Sequence, residues 1–288
     1  MNKPTQTLEE LRGSAHLSYS AINTYLNICQ LQYYYRYIEK LESECTPVAL
    51  PFGSAFHTAL SEQAQAAKEG RKLSAESLTE VFAECFKALC NSSGRVVFKQ
   101  DENPDTLIEQ AGKMLEATLQ EWRDYWNIDA VALPFKVELP GVDLPLIGEM
   151  DMLVSEYNPF DENPETRCIV DFKTAARMWP ETKAGGDLQA TVFSYAYEKL
   201  QQSRPLFRFD VITKTKNPAL KRFYTSRNEN DFLRLEALVQ SMQRAVKAGV
   251  FLPNETSFAC AGCPYASSCE KWHCSFGNSN KSLRKEVA

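Results

Sequence analysis

The 288-residue sequence has no run of about 18 apolar residues, the length a membrane-crossing helix requires, so no membrane partner is expected. Its opening residues, MNKPTQTLEELRGS, hold no apolar stretch of the kind that marks a secretory leader, and a cytoplasmic setting is expected. There is no excess of positive charge: 37 acidic side chains against 32 basic ones leave a net −5. That excludes a protein that coats nucleic acid with its whole surface, but not a local basic groove. Histidine is scarce, at three residues, and neither an internal repeat nor a low-complexity tract is present. The phosphate-binding pattern G-x-x-x-x-G-K-[ST] does not occur, so any nucleic-acid unwinding has to come from a partner. The nine cysteines are an odd number, which a disulfide framework would rarely leave, and clustered cysteines in a reducing compartment usually bind metal.

What is present is ordinary globular composition, 44% apolar and 24% charged, with a length suited to one large domain or one domain with an inserted lobe. Residues 1–16 read as a polar lead-in and 277–288 as a tail. From Leu17 a helical pattern capped by Ser18 or Ser20 runs through Ile22, Tyr25, Leu26 and Cys29 to Ile38. After Pro51 and Gly53 a second helix is expected from about Ala55 to Lys68, and a third from Ser74 to Leu89. A fourth opens at Pro104, with Leu107, Ala111, Met114, Leu115, Trp122 and Trp126 along one face. The period then changes. Val131–Leu139, Leu144–Val154, Cys168–Phe172, Phe207–Thr213 and Arg222–Thr225 read as strands, with helices at about Asp187–Gln202 and Glu229–Gly249. A helical lobe (about 60–127), a core (about 128–227) and a cysteine-bearing end (about 256–276) follow from this order.

The strongest chemical signal is in the strands. Asp171 and Lys173 are two apart in Cys168-Ile169-Val170-Asp171-Phe172-Lys173, so their side chains share one strand face. A second acidic strand end, Gly148-Glu149-Met150-Asp151, can bring Asp151 to the same point. Two carboxylates converging on one point repel unless a cation lies between them, and oxygen ligands select Mg²⁺ or Mn²⁺. A lysine beside such an ion can orient or help deprotonate a water for attack on phosphorus. A bare D-x-K is most often a surface ion pair. Here the apolar lead-in and the upstream acidic strand raise it above that reading, and the set resembles the core of the PD-(D/E)XK nuclease superfamily. His57, on the helix after Pro51-Phe52-Gly53-Ser54-Ala55-Phe56, resembles the histidine of the RecB-type branch. The resemblance implies metal ligation by His57, Asp151, Asp171 and Phe172, the last having only main-chain atoms to offer, and catalysis by Asp151, Asp171 and Lys173. The branch also carries a Gln with a Tyr one turn later, which support the catalytic lysine and the DNA strand. Gln189 matches, but the position four on is Phe193, with Tyr195 and Tyr197 beyond it.

Near the end stands Cys260-x₂-Cys263-Pro264-Tyr265-x₃-Cys269, with Cys274 following. Three thiols this close in a turn-rich segment point to metal, and the spacing suits zinc as well as iron–sulfur. One upstream cysteine plus C-x₂-C-x₅-C resembles the AddB-type and CRISPR-adaptation nucleases, which implies a 4Fe–4S cluster on Cys29, Cys260, Cys263 and Cys269. Cys274 competes for a place, whereas Cys45, Cys85, Cys90 and Cys168 read as free thiols.

Between Lys199 and Arg227 stand eight basic residues and one acid, Asp210. As a block they can contact phosphates, chiefly through Lys214, Lys216 and Arg222, while Tyr34 and Arg36 in the Tyr-rich first helix can stack on bases. The resemblance spans Leu17 to Trp272. It implies a restriction-endonuclease-like α/β fold, a central mixed sheet flanked by helices with a helical lobe and an iron–sulfur cap made from both chain ends. It further implies metal-dependent DNA hydrolysis, exonucleolytic on single-stranded ends, alongside a helicase, an integrase or another nucleic-acid-processing partner. A nuclease-fold assembly subunit that binds DNA without cutting it, and a zinc-stabilised adaptor, are the competing classes.

Overall fold

A computed structural model of the chain describes residues 6–123, 127–160 and 165–283, so Trp126 lies outside the described residues. The described part of the lead-in holds a short helix. Thr7 and Glu10 form a reciprocal capping box on helix α1 (Leu8–Arg12), which buries Leu11. Helix α2 (Tyr19–Asn23) starts at Ser18, whose side chain accepts from the Ala21 N–H.

The single helix expected up to Ile38 is interrupted. Wide π-helical turns at Thr24–Ile28 and Tyr34–Ile38 flank the short α3 (Gln30–Tyr33), and Cys29 between them is extended, at φ −167° and ψ 124°. The backbone groups freed by the break are taken up by residues near 252. The Leu31 N–H donates to Leu252 O at 3.2 Å, and Asn254 Nδ2 donates to Ile28 O at 2.9 Å. The chain end therefore stabilises a break that helical periodicity does not reveal.

A two-residue strand, β1 (Thr46–Pro47), precedes helix α4 (Ala49–Lys68). This helix begins six residues before the expected start, with Pro51 inside its first turn. The N–H groups there have no intrahelical acceptor, so proline costs no hydrogen bond. Ser74 caps α5 (Ala75–Ser92), β2 (Val96–Val97) pairs in parallel with β1, and an Asn103–Thr106 capping box with Pro104 opens α6 (Pro104–Gln120).

Strands β3 (Asn127–Val137), β4 (Leu146–Glu156) and β5 (Thr166–Ala175) form an antiparallel run. After α7 (Lys183–Gly186) and α8 (Leu188–Gln201), strand β6 (Leu206–Thr213) returns parallel to β5, and β7 (Leu220–Thr225) closes the sheet antiparallel to β6. The order β3-β4-β5-β6-β7 is a mixed five-stranded sheet. Helix α9 (Glu229–Lys247), capped by Asn228, leads to a 3₁₀ turn at Cys260–Gly262 and to α10 (Ala266–Leu283).

Side-chain alternation divides the core. Cys168, Val170 and Phe172 of β5 pack under α4, α5 and α6, while Ile169 faces α2, α8 and α9 with Phe207 and Phe209 of β6. A third, small cluster of Leu31, Tyr35 and Tyr265 joins the two chain ends. Among the described residues no helix is long and apolar enough to cross a membrane.

Candidate active site

The β4–β5 ladder ends early. Its last register pair is Met152–Val170, so Asp151 and Asp171, next in line, stand where the two strands part. Strand β4 continues along β3 instead, pairing Met150 with Leu133 and Gly148 with Phe135. Gly148 is needed there, because a Cβ would lie 2.5 Å from the Phe135 ring. In the space β5 leaves, Leu17 bridges to β4: its N–H donates to Pro145 O and its carbonyl accepts from the Ile147 N–H, each at 2.8 Å. Asp151 turns its carboxylate into the fork, where Oδ2 accepts from the Phe172 N–H at 2.9 Å.

Five predicted side chains meet at this fork. His57 Nδ1, from α4, is 3.1 Å from Asp151 Oδ2. Lys173 Nζ is 2.6 Å from Asp171 Oδ2, and Gln189 Nε2 donates to Asp171 Oδ1 at 2.5 Å. Gln189 therefore holds the aspartate rather than the lysine. It is placed by Asp187, the cap of α8, whose Oδ1 accepts from the Gln189 N–H at 2.8 Å. Asp171 is 1% exposed, and burial raises its carboxyl to about 6, with Asp151 adding to the rise against the opposing pull of Lys173. Burial also works against Asp151, but His57, Lys173 and the Phe172 N–H together outweigh it and hold that carboxyl low. For His57 and Lys173 burial disfavours charge, and the carboxylates outweigh it and raise both.

Three neighbours escaped the sequence reading. Glu149, half-buried, is raised by burial and then by Asp151; strand alternation alone places it on the Asp151 side. Tyr19 is raised by burial and by the Asp187 and Asp171 carboxylates. Lys183, over the Trp179 ring at 3.8 Å, is lowered by burial and by Lys173. No local signal in the sequence places Tyr19 or Lys183 beside the fork. The tyrosines after Gln189 point elsewhere, with Tyr195 donating to Glu236 at 3.0 Å, while Phe193 packs on Phe135 and Phe207.

The donors at the fork suit a hard divalent cation, because two carboxylates converge and buried Asp171 Oδ2 accepts no well-aligned hydrogen bond. Among the described residues, however, no three His, Cys, Asp or Glu side chains already surround one point as a metal site. His57 and Lys173 each face one of the carboxylate oxygens an ion would take.

Cys29, Cys260, Cys263 and Cys269 line one cavity of about 360 Å³, with Cys274 also on its wall. Burial raises the Cys263 and Cys269 thiols, and the neighbouring thiols raise them further. The extended Cys29 receives the Asn254 N–H at 3.4 Å, and Cys260 Sγ lies 3.2 Å from Asn254 O.

The basic block does not form one phosphate-facing surface. Arg208 is fully buried against Asp210 at 2.7 Å and Glu156 at 2.5 Å. Arg227 is buried against Thr191, Thr225 and the carbonyls of Ala184 and Asp187. Arg222, whose side chain is 10% exposed, is engaged by Glu121 and Asp210, which corrects its expected phosphate role. Glu156 and Glu121 come from other elements, and hydroxyls and carbonyls hold Arg227, so counting charge along the chain misjudges these arginines. Lys216 and Arg36 are exposed, and Lys214 turns inward over Phe52. Tyr34 packs on Phe251 at 4.7 Å and donates to Glu39 at 2.7 Å, so it is a packing residue of the first helical segment rather than a free stacking platform.

No curated protein matches the chain. Among solved structures, one described as "Putative exonuclease" from Eubacterium rectale shares the fold, with a TM-score of 0.53 and 16% identity over 91% of this chain and 92% of that one. The model of the PD-(D/E)XK nuclease superfamily matches residues 16–270, taking in the fork, His57, Gln189 and all four cysteines of the cavity. The chain belongs to the PD-(D/E)XK nuclease superfamily.

Proposed function

We propose that this nuclease hydrolyses phosphodiester bonds of DNA with Mg²⁺ or Mn²⁺, acting from single-stranded ends, and that a 4Fe–4S cluster on Cys29, Cys260, Cys263 and Cys269 holds its two chain ends together. One observation carries the reading: Asp151, Asp171, Lys173 and His57 gather where β4 and β5 part. Asp151, Asp171, His57 and the Phe172 main chain would hold the ion. When bound, Mg²⁺ or Mn²⁺ supplies Lewis acidity and neutralises charge at phosphorus.

The side chains divide the remaining work. Lys173, kept charged by its carboxylate partners, presents N–H donors to the attacking water or to a phosphate oxygen. Gln189 fixes Asp171 Oδ1 and so directs Oδ2 into the fork. His57 orients Asp151. For the cluster, four thiols around one cavity of about 360 Å³ provide a soft donor set and room for a group larger than a single ion.

The test is cleavage by anaerobically purified protein of end-labelled single-stranded DNA, with a covalently closed single-stranded circle beside it, in Mg²⁺ and in Mn²⁺. The linear strand should shorten from an end and the circle should survive. Rapid cutting of the circle removes the end-dependent part of the proposal, and no cutting of either removes catalysis.

A further inference from the structure

A second cavity, of about 380 Å³, lies between the start of α4, the segment after β2, the Cys260–Cys263 turn and the end of β6. Its size is that of small-ligand pockets, and its wall combines apolar groups with a few charged ones. Val48, Phe98 and Leu107 supply the apolar side, while Arg95, Lys99 and Lys214 supply cations. The two carboxylates on its wall are engaged. Glu44 accepts from the Ser267 N–H and hydroxyl at 3.0 and 2.8 Å, and Glu102 accepts from the Lys99 N–H at 3.2 Å. Lys214 is different. Its ammonium lies 3.8 Å over the Phe52 ring, and among the described residues no carboxylate stands within ion-pair distance of it. Burial, with Lys99 beside it, lowers Lys214 to about 8. A half-buried cation without a counter-anion is costly, and an anionic ligand relieves that cost.

The cavity and the fork draw on the same elements, α4 and the paired strands β5 and β6. The Lys214 N–H donates to Ala175 O at 2.8 Å, which places Lys214 two residues, or about 7 Å of strand, beyond Lys173. On α4, Phe52 precedes His57 by five residues, about 7.5 Å along the axis. Each displacement is roughly the step from one nucleotide to the next in an extended strand.

We propose that this cavity receives one nucleotide of a single DNA strand whose neighbouring phosphodiester lies at Asp151 and Asp171. The base rests against Val48, Phe98 and Leu107, and its phosphate lies among Lys214, Lys99 and Arg95. The assignment rests on the nuclease reading of the fork, but it concerns binding, and the two are tested separately.

The experiment measures anisotropy of a fluorescein-labelled octathymidylate on full-length protein carrying Asp171→Asn, which leaves the probe uncut. Lys214→Gln should weaken binding about tenfold, the effect of one lost charge-assisted contact, and Lys99→Gln about threefold. Lys247→Gln, exposed on α9 and outside the cavity wall, should change binding by less than about twofold. Melting temperatures of all variants are recorded, and Lys99→Gln, at an exposed position, keeps the test open should Lys214→Gln fail to fold. Thymidine monophosphate should displace the probe at lower concentration than inorganic phosphate. Unchanged affinity in both Lys214→Gln and Lys99→Gln overturns the cavity assignment, as does a loss in Lys247→Gln equal to that in Lys214→Gln. Equal displacement by phosphate removes the base from it. Intact, Lys214-dependent binding with no cleavage by the unsubstituted protein overturns the nuclease reading and leaves the nucleotide cavity standing.

Discussion

Asp171 is the residue on which the fork depends, because it is buried, raised to about 6, and held by one cation and one amide. Asp151→Ala and Asp171→Ala should abolish cleavage, and Lys173→Ala should lower it by about 10² to 10⁴. Melting temperature and DNA affinity serve as controls for folding. Gln189→Ala acts through Asp171, as a partner in the outer layer of a metal site does, so a loss of about 10 to 100-fold is expected. A glutamine with a purely structural part would shift melting and spare the rate. Lys214 should show itself by pH. Its ammonium is the form that attracts phosphate, so binding holds below pH 8 and weakens as pH rises through that value and the charge is lost. Lys99 pushes this transition down, Glu102 pulls it up, and Arg95 is the further basic residue on the same wall. Lys214→Arg should bind equally at pH 7 and pH 9.5. A parent protein with a flat profile over that range would show that Lys214 is not the titrating contact.

The decisive feature among the elements is the point at which β4 leaves β5, since it sets both aspartates at a fork and opens the slot that Leu17 fills. Gly148→Ala tests how firmly that path is fixed. Its methyl group would meet the Phe135 ring, itself wedged against Phe193, so a stability loss of about 1–3 kcal/mol is expected from denaturant titration. The strands themselves were legible in sequence, because Ile169-Val170 is an apolar run and Phe207–Thr213 is rich in aromatic and β-branched residues. The shared face of Asp171 and Lys173 was legible too, since it needs only strand period. The length of a ladder is not written locally, so nothing in β4 or β5 alone announces that pairing stops at Met152. Helix starts were misjudged where proline in a first turn looks like a breaker, as at Pro51. The break at Cys29 was hidden because residues near 252, far along the chain, satisfy its backbone. Arg208 and Arg227 were misread in part for the same reason, as Glu156 on β4 and Thr191 on α8 take up their guanidinium groups.

At the scale of the molecule, the two chain ends meet around the thiol cavity, and the contact does not depend on cysteine alone. Tyr25 donates to Val250 O, Tyr35 donates to Ser268 O, and the Glu44 N–H donates to Pro264 O. A cluster on Cys29, Cys260, Cys263 and Cys269 would close nearly the whole chain into a ring, and by analogy with a disulfide the closure is worth on the order of 5 kcal/mol. Cys29→Ser removes the sole upstream member of that set. The protein should lose its visible iron–sulfur absorbance, whereas Cys274→Ser should keep it. Loss of the tie should first loosen the elements it joins, because only hydrogen bonds and the small Leu31–Tyr35–Tyr265 cluster then hold them. Amide exchange in Cys29→Ser should therefore quicken over residues 29–38 and 252–272 while β4, β5 and β6 stay protected by the two large cores. Equal quickening across the sheet would mean that the ends and the sheet unfold as one cooperative unit. Bleaching by Cys274→Ser with colour kept in Cys29→Ser would place the cluster within the tail, and the ring would not exist.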